Sequence, residues 1–104
     1  MSVTALEILN EDGEVLHRLD ERLQRFNLVL WHTDDWGDSH CLRYVDPYSD
    51  TIFNRLQQLR ILEELQALRG QVQSTEEAES VAAVEAFVKL ATSVPHQYLR
   101  FVGE

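Results

Sequence analysis

The stretch Thr51-Ile52-Phe53-Asn54-Arg55-Leu56-Gln57-Gln58-Leu59-Arg60-Ile61-Leu62-Glu63-Glu64-Leu65-Gln66-Ala67-Leu68-Arg69-Gly70 decides the fold. It has the look of one long helix, and its apolar periodicity argues otherwise. Advancing about 100° per residue from Ile52, Phe53, Leu56 and Leu59 fall near 100°, 40° and 340°, whereas Ile61, Leu62, Leu65 and Leu68 fall near 180°, 280°, 220° and 160°. The apolar face turns over around Gln58 to Arg60, which a single helix packed on one core would not do. The pattern predicts a strand over Thr51–Asn54, then a helix from about Gln57 to Arg69. The helix start is expected between Asn54 and Leu59, and Gly70 is a natural C-terminal stop.

Downstream, Ser74 and Glu77 stand at capping-box spacing, and Val81, Val84, Val88 and Ala91 form one apolar stripe. A second helix over Ser74–Ala91 follows, with Glu85, Lys89 and Thr92 on its wet face. Pro95 closes it, and His96–Val102 reads as a last strand. Upstream, Asp46-Pro47-Tyr48-Ser49-Asp50 has turn chemistry. His40–Asp46 alternates as a strand, so a hairpin is expected over residues 41–54. Trp31–His40 is polar and turn-prone and reads as a loop, and Phe26–Trp31 as a short strand or buried segment. Asn10-Glu11-Asp12-Gly13 is a strong turn signal. It joins a strand over Val3–Leu9 to a return strand over Glu14–Leu19. Leu16, Leu19, Leu23 and Phe26 are also spaced for a helix, so residues 14–26 stay open between strand and helix. A strand to about Leu19 followed by a helical turn near Glu21–Arg25 is a third arrangement.

The expected architecture is therefore one α+β domain over residues 1–104. It has two layers: a mainly antiparallel sheet of about five strands, made of two hairpins and a C-terminal strand, and two helices packed on one face. The 104-residue length suits a single core. A hydrophobic share of 44% is ordinary for a globular chain. No apolar run reaches membrane-spanning length. Met1–Leu9 has no basic flank and does not read as a signal peptide. Cys41 is the only cysteine, which excludes an intrachain disulfide and suits a reducing compartment. A cytoplasmic location is expected.

Eighteen acidic residues against nine basic ones leave a net charge of −9. That field opposes polyanions, so no nucleic-acid partner is expected. The same acidity keeps a small protein soluble and speeds encounter with basic proteins, such as a toxin or a nuclease.

The segments Leu42-Arg43-Tyr44-Val45-Asp46-Pro47-Tyr48-Ser49-Asp50-Thr51-Ile52-Phe53-Asn54-Arg55-Leu56-Gln57 and Tyr98-Leu99-Arg100-Phe101-Val102-Gly103 resemble small uncharacterised bacterial proteins of mobile elements, of the integron gene-cassette type. The resemblance implies a bacterial cytoplasmic origin and a compact α+β fold. It carries no activity, cofactor or catalytic residue. Some small acidic proteins of this kind are immunity proteins.

Candidate chemistry concentrates around residues 31–41. His32, Asp34, Asp35, Asp38, His40 and Cys41 are all possible metal ligands, but their spacing fits neither H-E-x-x-H nor an EF-hand loop. No metal, cofactor or catalytic residue is assigned. His40 and Cys41 on one strand would point to opposite faces, which separates the base from the thiol. Arg43 and Arg100 occupy matching positions in similar segments. On neighbouring strands they would share a sheet face and bind an anion or pair with Asp46 and Asp50. Trp31 and Trp36 flank acids in a loop, as an aromatic, acidic contact surface or as a lid over the sheet.

The expected binding surface is therefore Trp31, His32, Asp34, Asp35, Trp36, Asp38, His40, Arg43 and Arg100. The expected function is that of a non-enzymatic acidic protein engaging another, basic protein, in the manner of an immunity protein. The alternatives are a small-molecule-binding or enzymatic domain with a pocket under the 31–40 loop, and a structural homodimer using exposed residues of the helix Gln57–Arg69.

Overall fold

A computed structural model of the protein describes residues 2–21, 23–33 and 39–104, with the backbone alone for His32. The first hairpin forms as its turn chemistry requires. β1 (Val3–Leu9) and β2 (Val15–Leu19) pair antiparallel. Gly13 takes φ 82°, a backbone region that a Cβ disfavours. Asn10 Oδ1 accepts from the amides of Asp12 at 3.0 Å and Glu14 at 2.9 Å, which ties the turn to its own base.

The chain then forms α1 (Leu23–His32). Here the structure departs from a strand over Phe26–Trp31, and it shortens the expected loop by its first two residues. Leu23, Phe26 and Val29 are buried at helical spacing. Asn27 supplies the reason the helix is kept. Its Oδ1 accepts from Val3 N–H at 2.9 Å and its Nδ2 donates to Val3 O at 2.8 Å, so it stands where a neighbouring strand would and staples α1 to β1.

Residues 40–46 are the second correction. They contain a 3-10 turn, Leu42–Tyr44, and no strand. The hairpin over 41–54 does not form. What remains of it is β3 (Thr51–Phe53), which pairs with the C-terminal strand β4 (Tyr98–Gly103). The sheet order is β2-β1-β4-β3, antiparallel throughout. The described fold is thus α+β with four strands and three helices, where five strands and two helices were expected.

α2 (Arg55–Arg69) begins within the expected window. Asn54 Oδ1 accepts from Gln57 N–H at 3.0 Å, and the Gln57 side chain accepts from Asn54 N–H at 2.8 Å. This reciprocal cap fixes the start. Gly70 caps the other end. Gln58, Ile61, Glu64, Leu65 and Leu68 face inward, while Leu56 is 78% exposed. The turnover of the apolar pattern therefore marks leucines that face water in the helix's first turns.

α3 (Thr75–Thr92) starts at Ser74, whose hydroxyl accepts from Glu77 N–H at 3.1 Å. The Glu77 carboxylate reaches one residue further back, to Gln73 N–H at 3.0 Å. Glu85 is not on a wet face. It is buried between the helices and held by Arg69 at 3.0 Å and Lys89 at 3.3 Å.

Leu6, Phe53, Leu99 and Phe101 face the helices, packing with Phe26, Ile61, Leu65, Val81, Val84 and Val88 in one core. Phe53 and Phe101 meet edge to face, with centroids 5.7 Å apart. The opposite face carries Glu7, with Arg18 and Arg100 directly across from it on the two neighbouring strands.

Candidate functional site: a groove between α1 and the 39–47 segment

The site is built around one buried carboxylate. Glu64 lies on the inward side of α2 and is 8% exposed. Its Oε1 accepts from the Ser39 hydroxyl at 2.6 Å and Leu42 N–H at 2.9 Å. Its Oε2 accepts from His40 N–H at 3.0 Å and Cys41 N–H at 3.1 Å. Three successive backbone donors therefore converge on one side chain, as at an anion-binding helix N-terminus. This is why residues 40–46 are not a strand. The amides a sheet ladder needs are bound to Glu64, and the segment bends into a 3-10 turn behind them. Arg60 Nε lies 3.8 Å from the same carboxylate.

The Asp46–Asp50 turn closes the other end of the segment. Asp46 accepts from Tyr48 N–H at 2.8 Å and the Ser49 hydroxyl at 2.9 Å, and these two bonds, the amide's first, hold its carboxyl below the ordinary range. The turn lies against Gly103 so closely that a Cβ there would collide with the Ser49 carbonyl and come within 2.6 Å of Asp46 O. Glu104 N–H donates to Pro47 O at 2.8 Å. The Asp46–Asp50 turn and the end of β4 are thus locked together in space.

Between this segment and α1 lies a solvent-open groove of about 260 Å³, lined by Val3, Asn27, Leu30, Trp31, Leu42, Arg43, Val45 and Pro47. Most of its lining residues are apolar. Asn27 is already committed to Val3. Trp31 stands at the edge, 59% exposed, and Tyr44 and Tyr48 are exposed on the adjoining segment. The Arg43 guanidinium lies 5.9 Å from the Tyr44 ring centroid and has no carboxylate within ion-pair distance among the described residues.

Of the residues expected at a binding surface, the structure brings Trp31 and Arg43 to this groove. His40 sits on the Glu64-bound turn beside it. Arg100 is elsewhere. It lies on the open face of the sheet, where its guanidinium holds Glu7 at 2.5 Å and approaches Asp50 at 3.9 Å. Arg43 and Arg100 therefore do not share a sheet face, since Arg43 is not on a strand. Asp34, Asp35, Trp36 and Asp38 lie outside the described residues, as does the side chain of His32.

Cys41 is buried, with its Sγ 3.7 Å from Gln57 O. Burial pushes its thiol up, the Glu64 charge pushes it further, and Arg60 opposes both. That environment disfavours the thiolate a nucleophile needs. Among the described residues no three His, Cys, Asp or Glu side chains are grouped to hold a metal ion, and no helix is long and apolar enough to cross a membrane.

Sequence reasoning missed Glu64, Glu7 and Asn27. Glu64 left a trace, as an acid three residues after Ile61 and four before Leu68 at the margin of the buried stripe. Nothing local marks Asn27. No protein-family model, curated protein or solved structure matches the chain.

Proposed function

We propose that the protein is a non-enzymatic binding module that engages a basic protein partner through the groove and the exposed rings around it. The observation that carries this reading is Trp31, a large aromatic left 59% exposed at the edge of an apolar groove. Exposed Trp is costly, and Trp is the residue type most enriched at binding hot spots. Groove size supports a protein ligand over a small molecule. Typical small-molecule sites occupy roughly 300–1,000 Å³ and enclose most of the ligand. This groove is smaller and open, suited to a single apolar side chain projecting from a partner. The net charge of −9 supplies long-range attraction to a basic protein. An immunity protein covering a basic toxin or nuclease, encoded on a mobile gene cassette and held in the cytoplasm, is the kind of protein this reading describes.

Affinity capture with the wild-type chain and Trp31→Ala in parallel, followed by titration calorimetry on the purified partner, tests the reading. Trp31→Ala should weaken binding by about 2 kcal/mol or more while leaving the melting temperature nearly unchanged. Equal affinity of the two chains for the captured partner would remove the groove from the function.

A further inference from the structure

The two edges of the sheet are not equivalent. β3 is three residues long, and its preceding turn is clamped onto the end of β4. Shortness and a covering loop are how native sheets close an edge. β2 is five residues long and lies at the other edge, with β1 its only strand neighbour among the described residues. Val15, Leu16, His17 and Arg18 are all exposed, and Leu19 at the end of the strand packs against the core. It contains no Pro and no Lys, and among the described residues no strand meets its backbone groups on the side away from β1.

We infer that β2 is a strand-addition site, and that its occupant is an extended segment of another protein with an apolar centre and basic flanks. Charge complementarity selects that occupant. Glu11, Asp12 and Glu14 precede the strand and Asp20 and Glu21 follow it, all exposed. The one cation on β2, Arg18, is held by Glu7 at 2.6 Å and by Asp20 at 3.4 Å. An added strand would thus run along Val15, Leu16 and Leu19, with His17 and Arg18 between them, and meet carboxylates beyond both ends of β2. A second copy of the chain fits badly. Antiparallel self-pairing over all five residues places Glu14 opposite Asp20 twice, between two chains each of net charge −9. In strand addition the backbone bonds supply affinity and the alternating side chains supply selectivity. The inference is independent of the groove.

The probe is the blocked peptide Arg-Arg-Thr-Val-Thr-Val-Thr-Arg-Arg, followed by fluorescence anisotropy and by amide hydrogen exchange. Saturable binding is expected, with slowed exchange confined to β2 and its flanks. Replacing the arginines by glutamates, or both valines by prolines at unchanged charge, should each weaken binding at least about tenfold. On the protein, Leu16→Lys should weaken it by a similar factor, Leu16→Thr should weaken it less, and Trp31→Ala should not change it. Folding of each variant is checked by its thermal melt. Equal binding of the proline peptide would reduce the effect to bulk attraction and overturn the inference. So would absence of saturable binding, or a dimer in sedimentation that Leu16→Lys or Leu16→Thr dissolves.

Discussion

Glu7 and Glu64 are both buried carboxylates, and the molecule disposes of their charge in opposite ways. Glu7 sits mid-strand in β1, where Arg18 and Arg100 flank it from the neighbouring strands. Its partners are cations that are themselves 48% and 26% exposed, so the cluster keeps one side in water. Glu64 has four donors from residues 39–42, a hydroxyl and three backbone amides, two of them on buried residues. The first arrangement joins strands that already pair. The second creates a structure that would not otherwise exist, because the 3-10 turn and one wall of the groove depend on those amides being satisfied. A carboxylate bound by arginines reinforces the fold, whereas one bound by backbone amides dictates it.

The largest effect is expected at Glu64. Glu64→Ala leaves a hydroxyl and three amides without their acceptor and should cost about 3 kcal/mol or more in urea unfolding, given that each buried unsatisfied group costs roughly 1–3 kcal/mol. Amide chemical shifts should change across residues 39–47 and little in β1. A small loss with those shifts intact would mean that residues 39–47 hold their turn without Glu64.

Next is Gly103→Ala, which tests how tightly the far end of the groove wall is held. The added methyl has no room against the backbone of residues 46–49. Overpacking of this kind typically costs about 1–3 kcal/mol. A melting temperature equal to wild type would mean that the turn yields freely.

Glu7→Gln should cost less, about 1.5 kcal/mol, the order of a hydrogen bond to a charged group, since Arg18 and Arg100 can turn to water once unpaired. It also changes the pH profile. Burial pushes the Glu7 carboxyl up, but the hydrogen bonds and charges of Arg100 and Arg18 outweigh it and hold the group below its ordinary 4.5. The unfolded chain therefore binds this proton more readily than the folded one. The stabilisation is complete above about pH 4.5 and is lost as pH falls through the lowered value. Glu7→Gln should flatten that acid limb in urea titrations, and an unaltered limb would remove Glu7 from the acid response.

The smallest effects are expected at the groove itself. Trp31→Ala and Arg43→Ala remove exposed side chains and should each change unfolding stability by less than about 0.5 kcal/mol. Stability losses well above that would make them structural and count against the docking surface.

Legibility in the sequence divides along the range of the interactions involved. Leu42-Arg43-Tyr44-Val45 and Leu99-Arg100-Phe101-Val102 have the same pattern of apolar and basic residues. The second is a strand between β1 and β3, and the first is a 3-10 turn at the groove. Nothing within either segment separates them, because the difference is Glu64, which lies in α2, 22 residues after Leu42. Phe26–Trp31 presented the same ambiguity. Its apolar run reads as a short strand or a buried segment, and Asn27 reaching Val3 belongs with the helix that forms instead. Glu85 read as a surface acid because its i,i+4 partner Lys89 is local, while its closer partner Arg69 comes from the neighbouring helix. Of the candidate surface, Trp31 and Arg43 were recognisable by residue type, but their meeting in one groove was not.

Local sequence was enough for the elements whose hydrogen bonds close within a few residues. These are the Asn10–Glu14 turn and its hairpin, the Asn54 cap and start of α2, the Gly70 stop, and the Ser74 start of α3. Tertiary structure alone decided the fate of residues 40–46, the helix at 23–32, and the pairing of Arg100 with Glu7 rather than with Asp46 or an anion. In each of those cases a backbone amide or a buried charge had several possible partners. The one that satisfied it came from a distant part of the chain, which only the packed core brings within hydrogen-bonding distance.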